Sequence, residues 1–301
     1  MDVFDTMQDV FGQGVSAVKG AVSGVAVENL PFMRNFIRVC NDGWQQGWHE
    51  RNGGNLSYRM THSEVESCKS FFYDMPSSWV NMGVRANNLA GAYFAVTGAG
   101  RHMRNVQVEP ASNIAIVEIN AGGDSWRVVW GLKDGGMPTS EFASHFMCHS
   151  VRTAVTGGAC RVLYHAHPDN VIALTKIMPL DARTITRTLW KAHTECIVVF
   201  PNGIGVVDCM VPGSMELARA TSELMKTYDA VIWAQHGLFA SGADFDTAFG
   251  LMQTVEKAAK VHGLALAMNN GSAEFANTIT DDDLRSIVRS LGLTVNEAFL
   301  G

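Results

Sequence analysis

An α/β sandwich, with helices packed on the faces of a sheet, is the fold class predicted by three features of this sequence. Short apolar runs of strand length recur from Leu56 onward, and stretches with helical spacing are interleaved with them. Of the 301 residues, 47% are hydrophobic against 17% charged, enough to build a substantial core. One domain over residues 31–301, preceded by an extension over residues 1–30, is the economical organisation, since no repeat, low-complexity tract or linker divides the chain.

The elements follow in order. Residues 1–30 are rich in Gly, Ala and Val, hold Lys19 as their one basic residue, and are read as a loosely ordered extension in preference to an oligomer arm. Phe36, Ile37, Gly43, Trp44, Gly47 and Trp48 have near-helical spacing and run into the turn Arg51-Asn52-Gly53-Gly54-Asn55. Leu56–Met60 alternates as a strand does, whereas residues 61–91 are turn-rich and yield no clear element. Ala92–Val96 reads as a strand ending on Thr97-Gly98-Ala99-Gly100. Asn113–Ile119 and Trp126–Trp130 are two more, separated by Gly122-Gly123-Asp124.

A helix is expected from Glu141 to about Thr156, with Ser140 capping it and Glu141 in its first turn, where the dipole favours a charged carboxylate. Beyond it come a strand over Arg161–His167, a helix over 181–193, a strand over Cys196–Phe200 and a helix over Ser214–Tyr228. A strand over Ala230–Gln235 and a long helix over Asp246–Met268 complete the pattern.

Net charge and cysteine usage narrow the function class. A formal charge of -6 gives no broad basic field for nucleic acid or anionic membranes, so an anionic substrate must be caught locally. The six cysteines form no C-x-x-C pair and read as reduced, buried thiols of a cytoplasmic protein. Acid at Asp2 and Asp5 stands where a secretory signal carries Lys or Arg, and no apolar run has membrane-spanning length.

His165 and His167, two apart at the end of an apolar strand, present both imidazoles on one face and can grip one ion. His236 ends a second apolar strand, with Gly237 expected to let the backbone turn away. Three neutral imidazoles with an open fourth position suit a catalytic zinc. Spacing alone leaves His145 and His149, at i and i+4 on a helix, as competitors. A carboxylate beside such a site, Glu141, can exchange a proton with an acidic carbon. The turns Asn52–Asn55 and Thr97–Gly100 resemble anion cradles, and Ser140 at a helix start is a third contributor.

These residues lie within longer ordered blocks: Gly47-Trp48-x-Glu50-Arg51-Asn52-Gly53-Gly54-Asn55-Leu56, Trp130-Gly131-Leu132, Pro138-Thr139-Ser140-Glu141, Leu189-Trp190, Thr194-Glu195-Cys196 and Met210-Val211-Pro212-Gly213. From about Phe32 to the C-terminus the chain resembles the class II aldolases of the aldolase/epimerase superfamily. The resemblance implies a three-layer sandwich around a central, mainly antiparallel sheet, and reversible aldol cleavage of a phosphorylated ketose to dihydroxyacetone phosphate and an aldehyde. It places one Zn2+ per subunit on His165, His167 and His236, and so favours them over His145 and His149. It makes Glu141 the catalytic acid/base, assigns phosphate binding to Asn52, Gly54, Asn55, Gly100 and Ser140, and gives Glu195 a role with the aldehyde across a subunit boundary. A homotetramer with active sites at its interfaces is implied as well. Related aldolase, 4-epimerase or dehydratase activities, or a non-catalytic scaffold on the same fold, are the alternatives. The chain departs from the family at Ala99, where a serine hydroxyl is usual.

Overall fold

The computed structural model describes residues 26–301. The extension expected over residues 1–30 lies outside them as far as residue 25. Nine strands build one sheet: β1 (Asn55–Arg59), β2 (Val80–Asn81), β3 (Tyr93–Thr97), β4 (Ile114–Ile119), β5 (Ser125–Gly131), β6 (Val162–Ala166), β7 (Gly205–Val207), β8 (Ala230–Trp233) and β9 (Gly237–Gly242). Their order is β2-β5-β4-β3-β1-β6-β9-β8-β7. Every pairing is antiparallel except that of β7 with β8.

The helices are α1 (Pro31–Gln45), α2 (His62–Cys68), α3 (Met103–Val106), α4 (Pro110–Asn113), α5 (Phe142–Val155), α6 (Asp169–Ile177), α7 (Ala182–Ala192), α8 (Cys196–Val199), α9 (Met215–Leu224), α10 (Phe245–Met268) and α11 (Asp281–Leu291). Strand alternation divides them into two layers. Along β6, Val162, Tyr164 and Ala166 enter one core with Phe36 of α1, Trp190 of α7 and Met252 of α10. Leu163 points the other way, into a core with Cys148 of α5 and Leu217 of α9. The result is the three-layer sandwich with a mainly antiparallel central sheet. None of the helices among the described residues is long and apolar enough to cross a membrane.

Three expectations need correction. Cys196–Phe200 is not a strand: Val198 and Val199 donate their N–H groups to Glu195 O and Phe200 donates to Cys196 O, so the β-branched run closes its bonds locally as α8. The helix near Glu141 begins at Phe142, with Glu141 itself in the cap position and no side-chain cap from Ser140. Cys209 is exposed, unlike the five other cysteines, which are buried. Within residues 61–91, α2 forms on a reciprocal cap in which Thr61 Oγ1 accepts from Glu64 N–H while the Glu64 carboxylate accepts from Thr61 N–H. The T-x-x-E spacing was its available signal.

Candidate metal centre and its clefts

Three adjacent pieces of the sheet bring the predicted histidines together. His165 lies in β6, His167 follows two residues later just past that strand, and His236 occupies the tight turn between β8 and β9. The turn is made by Gln235, at φ 62°, not by Gly237. Gly237 is required for another reason: a Cβ there would collide with the carbonyl oxygen of Ala166 on the paired strand β6. The Nε2 atom of His165 lies 3.3 Å from that of His236 and 3.3 Å from that of His167. His145 and His149 are elsewhere, on α5, bonded to Ser57.

The outer ring nitrogens fix what the inner ones do. His165 Nδ1–H donates to Leu238 O at 3.1 Å, and His167 Nδ1–H donates to Glu50 Oε1 at 2.8 Å. Both rings therefore turn a bare Nε2 lone pair inward. Burial holds the pKa of His165 well below the usual imidazole value and that of His236 down to about 4, so protonation does not relieve the crowding of these nitrogens. Converging neutral imidazole lone pairs are the donor set that a zinc ion fits. His167 is held by its N–H bond to Trp48 O at 3.0 Å, and the Glu50 carboxylate orients its ring.

Glu141 is buried beside this cluster, its Oε2 3.7 Å from His165 Nε2. Burial raises its pKa above the usual carboxylate range, against the opposing pull of a 2.6 Å bond donated by Asn55 Nδ2. The expectation that the helix start favours the charged form is thus outweighed by desolvation. Asn55, expected among the phosphate ligands, has its carboxamide committed to Glu141 on one side and His145 Nε2 on the other.

Gly53 and Gly54 serve packing as much as turning. A Cβ on Gly53 would sit 2.9 Å from the His167 ring, and one on Gly54, at φ +72°, would collide with His49. Two of the three expected anion-binding segments are neighbours. Gly98 bridges to Pro138, Ala99 N–H donates to Met137 O at 2.8 Å, and Thr139 N–H donates to Thr97 O at 2.8 Å, which sets the 97–100 and 137–140 segments side by side. Asn52, Gly100 and Ser140 are exposed, whereas Asn55 is buried.

Outside the histidine cluster opens a cleft of ≈ 460 Å³, lined among others by Glu50, His167, Asp169, Cys209, Met210 and His236. Glu195 is not in it. It borders a second cleft of ≈ 660 Å³ with Trp48, His193, Glu256 and Lys257, and Asp169 touches both clefts. Sequence reasoning gave no role to Glu50 or Asp169, although the former stands in the Gly47–Leu56 block beside the Asn52–Asn55 turn.

Residues 34–262 match the family described as Class II Aldolase and Adducin N-terminal domain. The chain belongs to the class II aldolase family. A rhamnulose-1-phosphate aldolase of Pectobacterium atrosepticum is 42% identical over 269 residues, covering 89% of this chain and 96% of that one. A rhamnulose-1-phosphate aldolase of Mannheimia succiniciproducens is 40% identical over 272 residues, covering 90% and 98%. Among solved structures, a sugar-phosphate aldolase from Thermotoga maritima superposes with a TM-score of 0.65 at 28% identity, covering 78% of this aldolase and 94% of its own chain.

Proposed function

We propose that this class II aldolase reversibly cleaves L-rhamnulose 1-phosphate to dihydroxyacetone phosphate and L-lactaldehyde, with zinc held by His165, His167 and His236. The observation that carries the chemistry is a buried carboxylate, Glu141, 3.7 Å from the inward nitrogen of His165. The choice of ketose is supported by relatives of that name at 42% and 40% identity over 89% and 90% of this chain.

A bound zinc ion supplies Lewis-acid stabilisation of negative charge on the ketose oxygens. Glu141 returns a proton to the carbon that loses the aldehyde in cleavage and removes it in synthesis. Burial raises its pKa, which makes the carboxyl a better proton acceptor than an exposed one while leaving it able to give the proton back. Asn52, Gly54, Gly100 and Ser140 receive the phosphate in this reading, and Asn55 orients Glu141. The reading includes a cytoplasmic homotetramer of a single 31–301 domain in which Glu195 meets the aldehyde across a subunit boundary. Its position outside the metal cleft of its own chain supports that role.

The test is to incubate zinc-loaded protein with L-rhamnulose 1-phosphate, L-fuculose 1-phosphate and a pentulose 5-phosphate, measuring dihydroxyacetone phosphate. Release from the first at the highest kcat/KM is expected. Absence of release from it overturns the proposal.

A further inference from the structure

Behind Glu141 a line of polar side chains runs into the protein between β1 and α5. Asn55 Nδ2 contacts Glu141 Oε2 at 2.6 Å, and Asn55 Oδ1 contacts His145 Nε2. Ser57 Oγ lies 2.6 Å from His145 Nδ1 and 2.8 Å from His149 Nε2. His149 Nδ1 is buried with no partner. Ser57, His145 and His149 are buried to within 1% of full enclosure, and the two rings are wedged against Phe239 and Phe94 at centroid distances of 4.9 Å.

With Glu141 ionised, one arrangement of hydrogens satisfies the line. The carboxylate accepts, so Asn55 must present its amide N–H to Glu141 and its oxygen to His145. His145 then carries its proton on Nε2 and accepts at Nδ1 from the Ser57 hydroxyl. Ser57 Oγ is left to accept from His149 Nε2–H, and His149 ends the line with a bare Nδ1. An unpaired acceptor at the end is tolerated better than an unpaired N–H. Burial keeps both rings neutral, with His145 pushed down to about 3 and His149 well below the ordinary value, so neither ring carries a second proton to reverse the order.

We infer that Asn55, His145, Ser57 and His149 are positioning residues whose hydrogen bonds all donate toward Glu141, locking the Asn55 carboxamide in the one orientation that holds that carboxylate beside the three histidines. Each donor polarises the next, so the terminal bond to Glu141 is stronger than an isolated amide would make it. The inference rests on the proposed acid/base role of Glu141. Asn55 cannot pass a proton along, so the line orients the base and does not conduct.

The experiment uses the zinc-loaded full chain and its Ser57→Ala, His145→Gln, His145→Leu and Asn55→Ala variants. It reads kcat, KM, zinc content, and exchange of the dihydroxyacetone phosphate C–H with deuterium from solvent. Ser57→Ala is expected to lower kcat and the exchange rate together by roughly tenfold, the upper end for one hydrogen bond between neutral groups, with KM and zinc content unchanged. His145→Gln keeps an N–H for Asn55 and is expected to retain more turnover than His145→Leu. Loss of thermal stability in Ser57→Ala with unchanged kcat overturns the inference. So does an Asn55→Ala variant with raised KM and unchanged kcat, which would make Asn55 a phosphate ligand. Histidine 15N spectra of the wild type read the same line without substrate: both rings are expected as Nε2–H tautomers, and an Nδ1–H tautomer at either overturns the inference. Failure of wild-type protein to cleave or exchange substrate would instead remove the functional reading and leave the tautomer result to judge the line.

Discussion

Glu50 accepts the Nδ1–H of His167 at 2.8 Å, although two-thirds of its own side chain is exposed to solvent. The carboxylate fixes the tautomer that turns Nε2 inward and raises the basicity of that nitrogen. Glu50→Gln is expected to weaken zinc binding by roughly 10–100-fold, the usual effect of removing such a partner. Chelator competition on the wild type and variant measures it, and equal affinities would show that Glu50 is a bystander.

Glu141 approaches His165 Nε2 only to 3.7 Å and makes no hydrogen bond to the three histidines, so its removal separates binding from chemistry. Glu141→Ala is expected to keep its zinc and to lose turnover by roughly 10²–10⁴-fold, the range for general acid/base groups. His167→Ala is expected to lose zinc itself. Metal analysis beside a cleavage assay distinguishes the two outcomes; a Glu141→Ala variant with full turnover would remove the proton-transfer role.

The two histidines buried on α5 make stability depend on pH. His145 is held down to about 3 by burial, against about 6.5 in the unfolded chain, so below pH 6.5 the unfolded chain binds the proton that the folded one refuses. Stability from this source is whole above the unfolded pKa and is lost as pH falls, by about 1.4 kcal/mol per pH unit for each such group. Urea midpoints for wild type and His145→Gln between pH 7 and 5 isolate the effect: the wild type is expected to lose more on acidification, and parallel curves would contradict it.

The H-x-H pair was legible as a candidate because strand alternation is a local fact, readable from residues 161–167 alone, whereas spacing left His236 only suggestive and His145 and His149 as competitors until the ordered blocks favoured the strand-end set. Glu141 was weak by spacing, and the ordered blocks singled it out. The role of Asn55 was not legible. Its partners Glu141 and His145 lie 86 and 90 residues away, and meet it only because β1 pairs with β6 under the start of α5. The same non-locality hid the strand order, which no single stretch encodes. The α8 segment misled for the opposite reason: Ile197-Val198-Val199 has strand composition, but its N–H groups find carbonyls three or four residues back. β9 escaped because a Gly-Leu-Phe-Ala-Ser-Gly run shows little period-two contrast, and it is a strand through its position between β6 and β8.

Ala99 stands in the loop that the proposed function gives to the substrate phosphate, where the family resemblance leads one to expect a serine. Its N–H is used within the fold, donated to Met137 O at 2.8 Å, and the residue is exposed with its side chain at the loop surface. A hydroxyl restored there adds one donor at the expected phosphate position. Ala99→Ser is expected to lower KM for the phosphorylated ketose about five-fold, as one hydrogen bond of ~1 kcal/mol would, with kcat unchanged. Steady-state kinetics decide it, and an unchanged KM would place the phosphate away from this loop.

Glu256 ties the long helix α10 to the histidine cluster through a helix start. α6 begins directly after His167-Pro168, and Pro168 in the cap position has no side-chain oxygen to offer. The missing cap comes from α10: the Glu256 carboxylate accepts from Asn170 N–H at 3.1 Å, Val171 N–H at 3.0 Å and the Asn170 carboxamide at 2.5 Å. A charged acceptor at the positive end of the helix dipole is favoured twice over, by the bonds and by the field. Glu256→Gln preserves the shape but leaves an amide N–H facing donors, and is expected to cost about 1.5–3 kcal/mol of stability. Because the loosened turn follows His167 without an intervening flexible segment, zinc affinity is expected to fall with it. Thermal unfolding and chelator competition on the same variant test the coupling. A lower midpoint with wild-type zinc affinity would mean that the cap stabilises α6 while the bond from His167 N–H to Trp48 O suffices to hold the ligand.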